Sequence, residues 1–187
     1  MIVVKLGGSL TESGALMDCL NAVERKYPGQ TVVIVPGGGK FSDQVRLAQQ
    51  RWGFDDSTAH RMAILAMQQM ALLFNGLKSR FAVVDSVQAI RARSALDKTL
   101  IWSPSIPELD RAGISASWDI TSDSLAAWLA KSLAASELIL VKSAIIEENL
   151  SPADMTERSI VDRAFFDFVT QSEFRIQIIH QQAFIEA

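Results

Sequence analysis

The chain opens MIVVKLGGSL (residues 1–10), and residues 31–41 read TVVIVPGGGKF. Each is a β-branched run that stops abruptly at consecutive glycines. Continuous apolar runs of this kind suit strands covered on both faces, as in a parallel sheet. Similar runs at 81–85, 99–102, 137–142 and 176–179 alternate with helix-like stretches at 14–26, 40–51, 58–77, 86–95, 122–134 and 161–171. That alternation predicts an α/β fold, a three-layer αβα sandwich with a mainly parallel central sheet and right-handed crossovers. No internal repeat or linker composition breaks the pattern, so residues 1–187 are expected to form a single domain.

Bulk composition narrows the function classes. Of 187 residues, 49% are apolar and 21% charged, which suits a compact globular chain with a sizeable core. The formal net charge of −3 offers no general attraction for nucleic acid or anionic lipid, so any phosphate must be held by local groups. Neither a basic patch nor a nucleic-acid-binding module is visible. The single cysteine, Cys19, lies in the helix-like ALMDCLNAV and reads as a buried, inert thiol. No leader pattern is visible, and the longest apolar region, MAILAMQQMALLF, is too short to span a bilayer. A cytoplasmic protein without a membrane partner is expected. Residues 58–77 are apolar on nearly every side, which predicts a well-buried helix or a subunit contact; Met62, Met67 and Met70 read as packing.

In an open α/β sheet, ligands bind beyond the carboxyl ends of the strands. Both glycine clusters fall at that edge. Gly7, Gly8 and Ser9, and likewise Gly37, Gly38 and Gly39, can turn bare amides toward an anion with no Cβ in the way. Neither cluster matches the Walker loop or the dinucleotide fingerprint. Lys5, within an apolar strand, is costly to bury unless an anion compensates it. Lys142 ends a second apolar strand in ELILVKSA. In SWDITSDSLAAWLAKSLA, Thr121 or Ser122 reads as a helix N-cap and Asp123 as a first-turn acid. Two strand-end lysines, two anion-cradling loops and one acid form a constellation suited to phosphoryl transfer, where catalysis is mostly positioning and charge neutralisation.

With those residues in view, the chain resembles the amino-acid kinase superfamily. KLGGS is similar to its N-terminal phosphate loop, VIVPGGGKFSD to its second glycine loop, ITSDSLAAWLA to its acid-bearing helix start, and LILVKSA to the strand leading to the nucleotide. Within the superfamily, PGGGKFSD, STAHRMAI, SWDITSDS and SIVDRAFFDFV most resemble the aminomethylfuran phosphate kinases of methanofuran biosynthesis, with relatives in methylotrophs that use a furan-type C1 carrier.

The resemblance implies an ATP-dependent kinase whose acceptor is a small phosphate monoester, yielding a diphosphate. It assigns Lys5 to the transferring phosphoryl group, Gly7, Gly8 and Ser9 to the ATP phosphates, and Gly37, Gly38 and Gly39 to the acceptor. Asp123 would orient the lysines, and Lys142 would face the nucleotide. Magnesium would bridge the ATP phosphates, with no metal site of the protein's own. A homodimer or higher homo-oligomer is implied as well. An acceptor carrying both a phosphate and an ammonium calls for a cation and a carboxylate, with Lys40, Arg61 and Asp43 as candidates, each of which reads equally as a solvated surface residue. His60 reads either as a structural hydrogen-bonder or as a phosphate ligand.

The chain departs from the superfamily pattern twice. SAIIEENLSPADMT follows Lys142 without the usual Asp-Gly turn, and IIHQQAF lacks an Asn-Gly pair after the last strand. These departures leave a second reading open, a catalytically altered protein that binds a nucleotide or phosphorylated ligand in a regulatory or structural role.

Overall fold

The computed structural model describes residues 1–96, 98–147 and 150–186. Six strands form one sheet: β1 (Ile2–Leu6), β2 (Val32–Pro36), β3 (Ala82–Val84), β4 (Thr99–Trp102), β5 (Glu137–Lys142) and β6 (Arg175–His180). Their order is β3-β4-β2-β1-β5-β6, and every neighbouring pair is parallel. Each predicted strand is present within two residues of its expected limits.

The longer helices follow the predicted stretches: α1 (Leu16–Lys26), α2 (Gly39–Trp52), α3 (Asp56–Leu77), α4 (Val87–Arg93) and, beyond α5 (Ile106–Arg111), α6 (Ser122–Ser132). The predicted helix at 161–171 shrinks to α8 (Phe165–Val169). Helix α5, together with α7 (Pro152–Glu157) and α9 (Gln181–Glu186), was not expected. Each runs six residues, too short to display an apolar period.

Strand alternation sorts the core into two halves. Val3, Val33, Val35, Leu138 and Leu140 pack with α6 residues such as Leu125, Ala126 and Leu129, and with Phe165 of α8. Ile2, Val4, Leu6, Ile34 and Val141 pack on the other face with Leu16, Cys19 and Leu20 of α1 and with Phe184 of α9. The sheet is thus covered on both sides, as its unbroken apolar strands require.

Parity then aims the lysines. Lys5 lies in register with Val35 and Leu140, and Lys142 is two residues beyond Leu140, so both belong to the α6 side of the sheet. The β1 connection leads outward to β2, and the β5 connection leads outward to β6 on the opposite side. Between the carboxyl ends of β1 and β5 lies the crevice that this reversal opens. Lys5 and Lys142 stand on its two walls.

Candidate active site

The centre of the crevice is a buried three-residue cluster. Lys5 Nζ stands 2.8 Å from Asp123 Oδ1, and Lys142 Nζ donates to Asp123 Oδ2 at 2.6 Å. The side chains are 6%, 12% and 6% exposed for Lys5, Lys142 and Asp123. Asp123 arrives from the first turn of α6, where the helix dipole favours an acid. Burial pushes its carboxyl pKa up, but the two ammonium groups outweigh burial and hold it down at about 2. For Lys142, burial and the nearby Lys5 charge lower the pKa to about 8, against the raising influence of Asp123.

The glycine loops meet directly above this cluster. A Cβ on Gly8 would lie 2.2 Å from Gly39 N, and one on Gly37 would lie 2.6 Å from Gly8 N. Only side-chain-free backbones approach this closely. Gly7 N–H donates to Val141 O at 3.2 Å and Gly37 N–H to Leu6 O at 2.9 Å, so these two donors extend the sheet by a rung. Among the described residues, the amides of Gly8, Ser9, Gly38 and Gly39 make no backbone hydrogen bond outside their own helical turns. The anion-facing donors are therefore fewer than the two glycine clusters suggest. Ser9 Oγ and Ser143 Oγ lie 2.7 Å apart, joining the first glycine loop to the segment after β5.

The start of α6 is organised by a residue that sequence reading did not single out. Thr121 is the N-cap by position, but its side chain caps nothing. Instead the Asp162 carboxylate accepts from Thr121 N (2.8 Å), Thr121 Oγ1 (2.8 Å), Ser124 N (3.0 Å) and Ser124 Oγ. The available signal was a lone acid beside Arg163 in the mostly apolar run SIVDRAFF. Its partner, about forty residues away in the chain, left no local trace. Asp162 thus places a negative charge at the α6 N-terminus, where the helix dipole favours one.

Two cavities flank the centre. The first, of about 230 Å³, is lined by both glycine loops and by Asp43, Arg46, His60 and Trp118. The second, of about 660 Å³, reaches Asp123 and is bounded by Asp162 and Arg163. Arg46, Trp118 and Thr121 line both. The Arg46 guanidinium lies 3.8 Å over the Trp118 ring, whose Nε1 donates to Gln49 Oε1 at 2.7 Å. Arg46 and Trp118 were not anticipated from sequence.

The remaining candidates divide. Asp43 lines the first cavity, whereas Arg61 pairs with Asp110 at 2.9 Å and Lys40 is exposed without lining either cavity. His60 is buried and bonded to Ser117 O, yet it also lines the first cavity. Met67 and Met70 are core residues, and Met62 is partly exposed. Burial raises the Cys19 thiol to about 11, leaving it inert.

Comparison with known proteins identifies the family. The model of the amino acid kinase family matches residues 1–144. The chain belongs to the amino acid kinase family. The family match takes in both glycine loops, Asp123 and Lys142. A curated relative, the [5-(aminomethyl)furan-3-yl]methyl phosphate kinase of Methanocaldococcus jannaschii, is 30% identical over 141 residues, which is 75% of this chain and 64% of the relative. The chain thus spans just under two thirds of that relative's length. Among solved structures, a uridylate kinase from Archaeoglobus fulgidus superposes with a TM-score of 0.76 at 19% identity, covering 99% of this chain and 94% of the other. An aspartate kinase from Synechocystis superposes with a TM-score of 0.70 at 15% identity over 97% of this chain and 38% of that one. Both likenesses concern the fold, and they agree with the α/β sandwich expected from the strand runs.

Proposed function

We propose that this family member is an ATP-dependent phosphotransferase acting on a small phosphate monoester, an aminomethylfuran phosphate, to give a diphosphate for a furan-type C1-carrier cofactor. One observation carries the reading: two buried ammonium groups converge on one carboxylate at the β1/β5 crevice, beneath two abutting glycine loops. Such a cluster is costly to bury and suits a site that receives phosphoryl charge. The curated relative adds the acceptor, since it is named for that phosphate ester.

In this account the acceptor lies in the smaller cavity, with its phosphate on the free amides of the glycine loops. The nucleotide enters the larger one. A phosphate oxygen of the acceptor attacks the γ-phosphorus as the bond to the β-phosphate oxygen breaks, and ADP leaves. Negative charge spread over the transferring group is met by Lys5, with Lys142 on the leaving side. Asp123 holds the two ammonium groups in place. It removes no proton, because the acceptor is already an anion.

Among the described residues, no three His, Cys, Asp or Glu side chains gather into a metal site. In this reading a magnesium ion would be carried mainly by nucleotide oxygens and would neutralise phosphate charge. No helix among the described residues is long and apolar enough to cross a membrane. Leu65, Leu72, Leu73 and Leu77 of α3 are all at least 40% exposed, and we place a homodimer contact there. Sedimentation at micromolar concentration tests it, with twice the 20.5 kDa chain mass expected.

The functional test is phosphate transfer from ATP to aminomethylfuran phosphate, to nucleoside monophosphates and to small carboxylic acids. Formation of the furan diphosphate supports the reading, and transfer only to another class replaces the acceptor.

A further inference from the structure

The smaller cavity has a wall that the transfer chemistry leaves unused. His60 enters it from α3 at only 6% exposure. Its Nδ1 lies 3.0 Å from Ser117 O. A carbonyl only accepts, so Nδ1 carries the proton, and Nε2 of the neutral ring is left as an acceptor with no protein partner among the described residues. Burial lowers the His60 pKa, which favours that neutral form.

Asp43 and Glu12 line the same cavity, and neither has an ion-pair partner among the described residues. Arg46, the one cationic wall residue among the described residues, is stacked on Trp118. Ala63, Ile64, Met67 and Leu125 supply apolar surface to the same cavity. The lining of one cavity thus offers amide donors to an anion, apolar surface to a small ring, and acceptors to a donor.

We propose that His60 Nε2 and the Asp43 carboxylate form an amine-reading subsite, accepting hydrogen bonds from a primary ammonium on the acceptor while its phosphate rests on the glycine amides. The proposal rests on the phosphotransferase reading and extends it to how the acceptor is chosen. Acceptors lacking the amine leave the buried His60 Nε2 without a donor and the exposed Asp43 without its counter-charge, and a charged hydrogen bond of this kind is worth about ten- to a hundredfold in selectivity. Glu12, at the cavity rim, adds a longer-range attraction.

The experiment compares two substrates: aminomethylfuran phosphate and the same ester with a methyl group in place of the aminomethyl group. The wild-type protein should favour the amine in kcat/KM by at least about tenfold, chiefly through KM. The ratio should collapse toward one in Asp43→Asn and, separately, in His60→Gln. A wild-type ratio near one overturns the proposal, as does a high ratio that both variants keep. If neither ester is phosphorylated, the phosphotransferase reading falls by itself. The subsite is then decided by calorimetric Kd for the same two esters, where equal affinities overturn it and a tenfold preference lost in Asp43→Asn upholds it.

Discussion

Lys5 Nζ sits 2.8 Å from Asp123 Oδ1, and Lys142 Nζ sits 2.6 Å from Oδ2 of the same carboxylate. One buried acid therefore holds two ammonium groups, one at each oxygen, and their charge keeps it ionised against the effect of burial. In the proposed reading this sharing fixes Lys5 at the transferring group and Lys142 on the nucleotide side.

Stability should follow from the shared carboxylate. Asp123→Ala strands two buried ammonium groups and should cost about 3–5 kcal/mol. Lys5→Ala leaves Asp123 with Lys142 and should cost less. Urea unfolding followed by circular dichroism measures both, and equal midpoints would contradict the shared-carboxylate picture.

Lys142 should impose a pH limit on the rate. Its pKa of about 8 means that kcat/KM falls as pH rises through that value. In the unfolded chain the same lysine keeps its proton to about 10.5. Between these values the unfolded state binds more protons, so the Lys142 contribution to stability increases with pH while activity declines. Lys142→Arg, which stays charged, should lose the basic limb of the profile.

The abutting glycine loops predict a contrast between two alanine substitutions. Gly8→Ala drives a Cβ into the Gly39 backbone, so it should destabilise by about 1–3 kcal/mol and weaken phosphate binding. Gly76 lies in α3 with nothing within 4 Å of its would-be Cβ, and Gly76→Ala should stabilise by about 0.5–1 kcal/mol. Thermal melts with and without ATP separate the two.

Asp162 caps α6 from a distant segment, and Asp162→Ala should cost about 1–2 kcal/mol. Because the capped turn carries Asp123, kcat should fall too, whereas loss of a remote surface cap would leave kcat intact. Single-turnover kinetics beside a urea titration makes the distinction.

The strands were legible because burial on both faces writes itself as unbroken β-branched runs, and Lys5 and Lys142 stood out as the charges within two of them. Asp123 was legible through its local helix start. What escaped detection depends on distance in the chain. Asp162 meets Thr121 and Ser124 across about forty residues, and Arg46 meets Trp118 across about seventy. Neither pairing leaves a periodic or local mark. The engagement of the Gly7 and Gly37 amides in the sheet was hidden for a related reason: a glycine cluster reveals conformational freedom, while the hydrogen bonds already made are set by strand register.

The most direct measurement is transfer of labelled γ-phosphate from ATP to aminomethylfuran phosphate by the wild-type protein and by Lys5→Ala, with circular dichroism confirming that both are folded. The account predicts a labelled furan diphosphate from the wild type and a turnover lower by about a hundred- to a thousandfold in the variant. A folded Lys5→Ala protein with unchanged turnover would contradict it.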